Sequence, residues 1–331
     1  MNLENKKVLI TGSDGFIGSH LVERFLKEKC DVRAFVFYNS FNSWGWLDTL
    51  PTEILNQVEI FAGDIRDPFT VKKAVKDVNI ICHLAALIGI PYSYIAPDSY
   101  IDTNVKGTLN VVQAAKSSNL EKVIITSTSE TYGSAIYVPI DEKHPYQPQS
   151  PYSASKISAD HIAMSYYHSF NLPISIIRPF NTYGPRQSTR AIIPTIITQI
   201  LKGKEVIELG SLFPTRDLTY VLDLCDAYVK MCKKDNIEGE IINIGSSNEI
   251  SIKDLANLIK ELMDSDIDII STDIRKRPEK SEVSRLFADS SKARELIDWK
   301  PKKSLREGLE LTIEWFSKEE NLTRYKSMYT V

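Results

Sequence analysis

The chain has 331 residues, 43% of them hydrophobic and 25% charged, so it can bury a sizeable core, and its composition excludes a disordered, collagen-like or coiled-coil protein. Its 40 Lys and Arg and 43 Asp and Glu give a net charge of -3, which does not support binding to nucleic acid or to an anionic membrane, and we expect small-molecule partners. No apolar run is long enough to span a bilayer, residues 1–11 lack a secretory signal, and the four cysteines form no Cys-x-x-Cys pair; we therefore expect a cytoplasmic protein with reduced thiols and no metal site.

Short β-branched runs alternate with helical patterns along residues 1–180. The strand-like runs are Val8 to Ile10, Val32 to Phe37, Val58 to Phe61, Ile80 to His83, Val123 to Thr126 and Ile174 to Ile177. Because continuous apolar strands separated by amphipathic helices are typical of a parallel sheet covered on both faces, residues 1–180 are predicted to form a Rossmann-like, doubly wound α/β domain.

The order of elements loosens from residue 181 onward. Proline-rich loops are followed by amphipathic helical patterns at Ile192 to Lys202, Ile252 to Met263 and Leu305 to Phe316, and by a late strand at Ile241 to Ile244. We interpret residues 181–331 as mainly a smaller, mixed substrate-binding region, with residues 220–245 returning to the sheet.

Residues 39–57 form an unusually long connection that carries Phe41, Trp44 and Trp46. A self-packed loop covering the edge of the sheet is favoured over a contact with a cofactor or partner, because only some long loops are functional. Both alternatives stay open at this point.

A glycine-rich turn follows the first strand directly and opens a helix. Its residues are Gly12-Ser13-Asp14-Gly15-Phe16-Ile17-Gly18. Gly12 permits a tight turn, Gly15 lets backbone N–H groups approach a pyrophosphate at the positive end of the helix, and Gly18 permits close packing of helix on strand. The order of strand, turn and helix predicts that residues 1–180 bind a dinucleotide.

Further polar or small residues follow other strands at the same edge of the predicted sheet. Asp64 and Ile65 follow the third strand, and Leu84, Ala85 and Ala86 follow the fourth. Asp64 either receives the adenine amine or caps a turn, and these readings weigh equally. The second strand ends in Tyr38-Asn39-Ser40, with neither the acid that binds a ribose 2'-hydroxyl nor the Arg that binds a 2'-phosphate. Without that Arg, NAD is favoured, and NADP is not excluded.

Tyr152 and Lys156 stand four residues apart on one face of a predicted helix that begins with Ser150 as N-cap and Pro151 at its first position. A free tyrosine has a pKa near 10 and is a poor base unless a neighbouring ammonium and an oxidised nicotinamide stabilise its phenolate. Beside a dinucleotide turn, this pair predicts a catalytic base and its cationic partner.

These motifs, with Asn104 in Thr103-Asn104-Val105 and the run Arg178-Pro179-Phe180-Asn181, resemble the extended short-chain dehydrogenase/reductase family of nucleotide-sugar epimerases and dehydratases over nearly the whole chain. The resemblance implies a permanently held dinucleotide, transient oxidation of the sugar at C4, and a homodimer formed through two helices around residues 105–115 and 152–167. The implied cofactor contacts are Gly12, Asp14, Gly15, Phe16, Ile17, Gly18, Asp64, Ile65, Leu84, Ala85, Ala86, Asn104, Thr126, Tyr152 and Lys156.

The triplet Thr128-Ser129-Glu130 resembles the sugar 4,6-dehydratases of this family rather than its epimerases. Once C4 is a ketone the C5 proton becomes acidic, and its removal needs a base that simple epimerisation does not. The resemblance assigns Tyr152 as the base for the 4-hydroxyl and Thr128 as its hydrogen-bond partner. Glu130 is assigned as the base that removes the C5 proton. It is also expected to pass that proton to the leaving hydroxyl, because Ser129 is too weak an acid to act alone.

Substrate contacts are implied for Asn181, Arg186, Arg216 and Arg277, because guanidinium groups suit a diphosphate. The pattern is similar to small bacterial dehydratases acting on UDP- or GDP-N-acetylglucosamine, and the base is left open. Alternatives are a UDP-glucuronate decarboxylase, a nucleotide-sugar 4-epimerase and, with less support, a non-enzymatic nucleotide sensor.

Overall fold

The structure, a computed structural model, describes residues 1–326 and is centred on a seven-stranded parallel sheet with the strand order 10-6-5-4-1-2-3. The strands of the chain are β1 (Lys7–Thr11), β2 (Asp31–Phe37), β3 (Val58–Gly63), β4 (Ile80–His83), β5 (Lys122–Thr126), β6 (Ile174–Pro179), β7 (Asn181–Tyr183), β8 (Val206–Leu209), β9 (Thr215–Tyr220), β10 (Ile241–Ile244), β11 (Glu249–Ser251) and β12 (Asp268–Ser271). The predicted doubly wound α/β fold is confirmed.

Helices cover both faces of this sheet. They are α1 (Phe16–Lys27), α2 (Thr52–Leu55), α3 (Pro68–Val75), α4 (Ile90–Ile95), α5 (Pro97–Tyr100), α6 (Gly107–Lys116), α7 (Pro151–Phe170), α8 (Ile192–Leu201), α9 (Val221–Lys233), α10 (Ile252–Leu262), α11 (Ser291–Ile297), α12 (Leu305–Ser317) and α13 (Glu319–Leu322). Successive strand residues point to opposite faces, so Val8 and Ile10 pack in the core shared with α1 and α9, whereas Leu9 packs in the core shared with α3 and α6.

Two small sheets lie in the C-terminal part of the chain. Strands β11, β9 and β7 form one of them, and β12 pairs with β8 in the other. Strand β10 joins the central sheet beside β6, with Ile241 opposite Ile176. Of the region we assigned to residues 181–331, residues 327–331 lie outside the described part of the chain.

The carboxyl ends of β1, β2, β3, β4, β5 and β6 meet at one edge of the sheet because these strands are parallel. The strand order reverses between β1 and β4, which opens a crevice at that edge, the usual ligand position in such folds. Within residues 1–326, no helix is both long enough and apolar enough to cross a membrane.

Candidate active site

The glycine turn between β1 and α1 is packed too tightly for side chains. Gly12 has a φ of +71°, and a Cβ there would lie 3.0 Å from the Ala85 Cα atom. A Cβ on Gly18 would lie 2.1 Å from the Gly12 carbonyl oxygen. Gly15 is the N-cap of α1, and Phe16 and Ile17 begin the helix with their side chains against the core. The turn therefore offers a backbone cradle at a helix N-terminus, which fits the pyrophosphate of a dinucleotide.

Asp14 lies between this turn and the end of β2. Its Oδ2 atom accepts a hydrogen bond from the Phe37 N–H at 3.4 Å, and its carbonyl oxygen accepts one from the Trp46 N–H at 3.0 Å. Burial raises the pKa of Asp14, while hydrogen bonds from its own N–H and that of Phe37 oppose the shift. The connection at residues 39–57 thus folds against the glycine turn.

A buried hydrogen-bonded chain fixes the loop after β4. The Leu84 and Ala85 N–H groups both donate to Thr11 Oγ1 at 3.0 Å, and Thr11 Oγ1 lies 2.8 Å from His83 Nδ1. The other ring nitrogen, Nε2, lies 3.1 Å from Thr108 Oγ1. Burial lowers the pKa of His83 to about 3, so its ring is neutral, and it holds residues 84–86 beside Gly12.

The residues after β3 form a turn. Asp64 Oδ1 accepts from the Arg66 N–H at 2.9 Å, and the Arg66 guanidinium binds both carboxylate oxygens. These bonds lower the pKa of Asp64. Ile65 is buried against Gly107, and its carbonyl accepts from the Asn110 side chain. Asp64 therefore caps a turn, and a role toward adenine stays a prediction.

Helix α7 positions Tyr152 and Lys156. Its N-terminus carries a capping box between Ser150 and Ser153, with Pro151 in the first turn. The Lys156 Nζ atom donates to the Thr126 carbonyl at 2.6 Å, and Tyr152 forms a hydrogen bond with Thr128. Tyr152 and Lys156 thus contact residues at and just beyond the end of β5.

Both side chains are almost completely buried. Burial raises the pKa of Tyr152, and the hydrogen bond with Thr128 opposes that shift. Burial lowers the pKa of Lys156, and the negative charge of Asp160 opposes it. Tyr152 therefore needs added positive charge beside it to act as a base at neutral pH.

Asn104 connects the loop after β4 to helix α7. Its Oδ1 atom accepts from the Leu87 N–H at 2.8 Å, and its Nδ2 group donates to the Leu87 carbonyl and to Ser155 Oγ, each at 2.9 Å. It lies in a π-helical turn, Ile101–Lys106, next to α6. Asn104 thus holds two parts of the crevice wall in register.

A short 3-10 turn, Ser129–Tyr132, follows Thr128 and carries Glu130. Ser129 and Glu130 are both buried, and the Glu130 N–H donates to Thr128 Oγ1 at 3.3 Å. The negative charge of Glu130 contributes to the raised pKa of Tyr152, which reflects the proximity of the two groups. The predicted catalytic residues Thr128, Glu130 and Tyr152 are therefore brought together.

Two arginines from the C-terminal region reach the same place. Arg277 Nη1 lies 4.0 Å from Glu130 Oε1 and 3.8 Å from Glu282 Oε1, while Arg216 Nη2 donates to Glu282 Oε1 at 3.2 Å. Burial lowers the pKa of Arg216, against the attraction of Glu130. Two guanidinium groups thus share one partner carboxylate, Glu282, beside the turn of residues 129–132.

The remaining predicted substrate residues lie in different surroundings. Among residues 1–326, the buried Oδ1 atom of Asn181 has no hydrogen-bond partner. Arg186 has its guanidinium on α1, where Nη1 donates to Glu23 Oε2 at 2.8 Å and to Ser19 Oγ at 3.3 Å. The structure does not bring Arg186 into the group around Glu130.

Sequence reasoning missed a buried network that contacts the turn of residues 129–132. Arg178 is fully buried and donates to Asp160 Oδ2 at 2.9 Å, to Tyr132 OH at 2.7 Å and to Tyr146 OH at 3.0 Å. Ser127 Oγ donates to the same Asp160 oxygen at 2.5 Å. The run Arg178-Pro179-Phe180-Asn181 can be recognised in the sequence, but no local spacing indicates that Arg178 pairs with Asp160.

Residues 9–312 match the model of a protein family described as GDP-mannose 4,6 dehydratase. The human dTDP-D-glucose 4,6-dehydratase is 32% identical over 98% of this chain and 93% of its own length. A UDP-N-acetyl-alpha-D-glucosaminuronate decarboxylase of Bacillus cytotoxicus is 32% identical over 96% of this chain and 99% of its own length.

A similar solved structure is the UDP-glucuronic acid 4-epimerase of Bacillus cereus, in complex with UDP-glucuronic acid and NAD. It is 30% identical, covers 94% of this chain and 99% of its own, and superposes with a TM-score of 0.85. Relatives of this chain therefore carry out dehydration, decarboxylation or epimerisation.

Proposed function

We propose that this chain is an NAD-dependent 4,6-dehydratase of a UDP- or GDP-linked N-acetylglucosamine. The chain belongs to the extended short-chain dehydrogenase/reductase family of nucleotide-sugar dehydratases and epimerases. The observation that carries the proposal is the buried carboxylate of Glu130 beside Thr128 and Tyr152. An epimerase needs only the tyrosine and its partners, whereas a dehydratase needs a second base.

The dinucleotide would be held by the glycine turn, by the loop that His83 fixes, and by Lys156. The cradle at Gly12 and Gly18 has no room for side chains, which supports a fit to a pyrophosphate. When bound, the nicotinamide would accept hydride from C4 and return it to C6.

Tyr152 would take the proton of the 4-hydroxyl. Its raised pKa falls when positive charge is brought near it, and Lys156, one helical turn away, supplies such a charge. Thr128 bonds the tyrosine and would also orient the 4-oxygen. Burial of these groups excludes water from the reacting atoms.

Glu130 would take the C5 proton once C4 is a ketone, and water would leave from C6 with that proton. When hydride returns to C6, C5 would take up a proton from solvent. Arg277 Nη1 lies 4.0 Å from Glu130 Oε1, so a guanidinium group faces this carboxylate. Ser129 begins the same turn and would hydrogen-bond the leaving hydroxyl, since its own acidity is too low for it to act alone.

Arg216 and Arg277 would bind the diphosphate, because paired guanidinium groups match its charge and geometry. The orphaned Oδ1 atom of Asn181 adds an acceptor for a hydroxyl or amide of the substrate. The N-acetylhexosamine and the nucleotide base follow the sequence resemblance, and Arg186, paired with Glu23, is the weakest of the proposed substrate contacts.

The test is to incubate the purified protein separately with UDP- and GDP-N-acetylglucosamine and to analyse the products by mass spectrometry. A product lighter by one water that carries a ketone supports the proposal. Conversion to an isomer of unchanged mass would show an epimerase and refute dehydration.

A decarboxylase is the second candidate, favoured by Arg277. Among the described residues, its buried Nη1 atom has no partner within hydrogen-bond distance, although Glu130 lies 4.0 Å away, so the group could bind a C6 carboxylate instead. Incubation with UDP-glucuronate separates the two functions, since a decarboxylase releases CO₂ and leaves a nucleotide pentose.

We also propose that the protein is a cytoplasmic homodimer. Leu109 on α6, Ile101 in the adjoining π-helical turn and Phe170 at the end of α7 expose apolar side chains on the elements expected to pair. All four cysteines are free and buried, which is usual in a reducing compartment.

A further inference from the structure

We propose that Asp14, on the glycine turn, takes the place of the acidic residue that normally ends β2, so that it binds the 2'-hydroxyl of the adenosine ribose and makes the cofactor site selective for NAD over NADP. The inference rests on the nicotinamide cofactor of the proposed function. Asp14 lies in the glycine turn rather than in β2, so the selectivity would come from a residue outside the strand that normally supplies it.

The position of the carboxylate carries the first step. Phe37 is the last residue of β2, and its N–H donates to Asp14 Oδ2 at 3.4 Å. In doubly wound folds the acid that binds the ribose 2'-hydroxyl comes from this strand end. The residues that follow β2, Tyr38-Asn39-Ser40, include no acid, and the fold supplies a carboxylate at this point from the neighbouring turn.

The side chain of Asn39, two residues beyond the end of β2, is already engaged. Asn39 donates to the Phe37 and Ser43 carbonyl oxygens at 3.1 and 2.8 Å, and its Oδ1 atom accepts from the Phe41 N–H at 3.0 Å. The Asn39 side chain therefore stabilises its own loop and is not free to bind the ribose.

The loop also holds Asp14 in place. The Trp46 N–H donates to the Asp14 carbonyl oxygen at 3.0 Å, and a Cβ on Gly45, which has a φ of +59°, would lie 2.3 Å from that oxygen. The Trp46 ring packs on Trp315 and Tyr325, with centroid separations of 5.5 and 5.8 Å. A carboxylate fixed in this way loses little freedom on binding a hydroxyl.

Electrostatics gives the sign of the selectivity. The carboxylate precedes the N-terminus of α1, whose dipole attracts a negative charge and so acts against the burial that raises the pKa of Asp14. An ionised Asp14 would accept a hydrogen bond from a 2'-hydroxyl and repel a 2'-phosphate. Arg66, which could have attracted that phosphate, is held by both oxygens of Asp64.

The experiment is a competition on the protein as purified. Wild type, Asp14→Asn and Asp64→Asn are purified in parallel and denatured, and the NAD⁺ and NADP⁺ that each protein took up in the expression host are quantified by chromatography. We expect wild type to hold mainly NAD⁺, and Asp14→Asn to lower the bound NAD⁺/NADP⁺ ratio by about 10- to 100-fold, the usual effect of losing a charge-assisted hydrogen bond. If Asp14→Asn does not fold, Asp14→Ser is used instead.

An unchanged ratio in a folded Asp14 variant would overturn the inference. So would a ratio that moves only in Asp64→Asn, because selectivity would then come from the Asp64–Arg66 pair. The outcome is separate from that of the proposed reaction: Asp14-dependent selectivity in a protein that removes no water refutes the dehydratase and leaves this inference standing.

Discussion

Replacing Asp160 by Asn should destabilise the protein strongly, because it removes the carboxylate that pairs with the buried Arg178. Arg178 is fully buried and Asp160 is 2% exposed, so water cannot compensate the remaining cation. Breaking a buried ion pair by removing one partner costs about 3–5 kcal/mol. Tyr132 and Tyr146 still accept hydrogen bonds from Arg178, so we expect a loss near the lower end, about 3 kcal/mol.

The assay is equilibrium unfolding in urea at pH 7, followed by circular dichroism, of wild type, Asp160→Asn and the control Glu261→Gln. Glu261 pairs with Arg306 where both side chains are at least half exposed, and such pairs contribute little, so the control should unfold like wild type. A loss below about 1 kcal/mol in Asp160→Asn would refute the reasoning. Since Asp160 also opposes the lowering of the Lys156 pKa, the alkaline limb of the activity profile should move to lower pH in the variant.

Three further predictions concern acid stability, cofactor retention and assembly. Burial lowers the pKa of His83 to about 3, so between pH 6.5 and pH 3 the unfolded chain binds a proton at His83 that the folded chain does not. The stability that depends on neutral His83 is therefore complete above pH 6.5 and is lost as the pH falls. Measured in urea, the free energy of unfolding of His83→Gln should decline less steeply with falling pH than that of wild type, by about 1.4 kcal/mol per pH unit. Gly18→Ala should purify without a bound dinucleotide, because the added Cβ would lie 2.1 Å from the Gly12 carbonyl oxygen. The measurement is the absorbance of dinucleotide released from the denatured protein. The control Gly203→Ala, where φ is +63° and nothing lies within 4 Å of an added Cβ, should retain the dinucleotide. Leu109→Asp should convert a dimer to a monomer in light scattering, and a wild-type monomer at micromolar concentration would contradict the proposed assembly.

The crevice could be predicted from the sequence because its main parts are local. Gly12 to Gly18 form one turn, Tyr152 and Lys156 lie one helical turn apart, and Thr128 and Glu130 lie in and beside one short turn. Parallel strands carry such segments to a common edge once the order of strands and helices is recognised.

Other features arise from tertiary contacts that no spacing encodes. Arg216 meets Glu282 from 66 residues away, and the ion pair of Arg186 with Glu23 spans 163 residues. The β2 end lacks an acid in sequence, yet Asp14 reaches it from 23 residues earlier. Arginines that look alike in the sequence therefore differ in role through the partners that the fold brings to them.

The most direct test of the central claim compares Glu130→Gln with Tyr152→Phe in single turnovers with the nucleotide sugar, monitored by the absorbance of reduced nicotinamide. Tyr152→Phe should show no reduction, whereas Glu130→Gln should show reduction followed by a stall, with water elimination slowed by about 10²- to 10⁴-fold. Solvent deuterium should enter C5 of the product with wild type and not with Glu130→Gln. Formation of the 4-keto-6-deoxy sugar by Glu130→Gln at the wild-type rate would contradict the assignment of Glu130 as the second base, and with it the dehydratase.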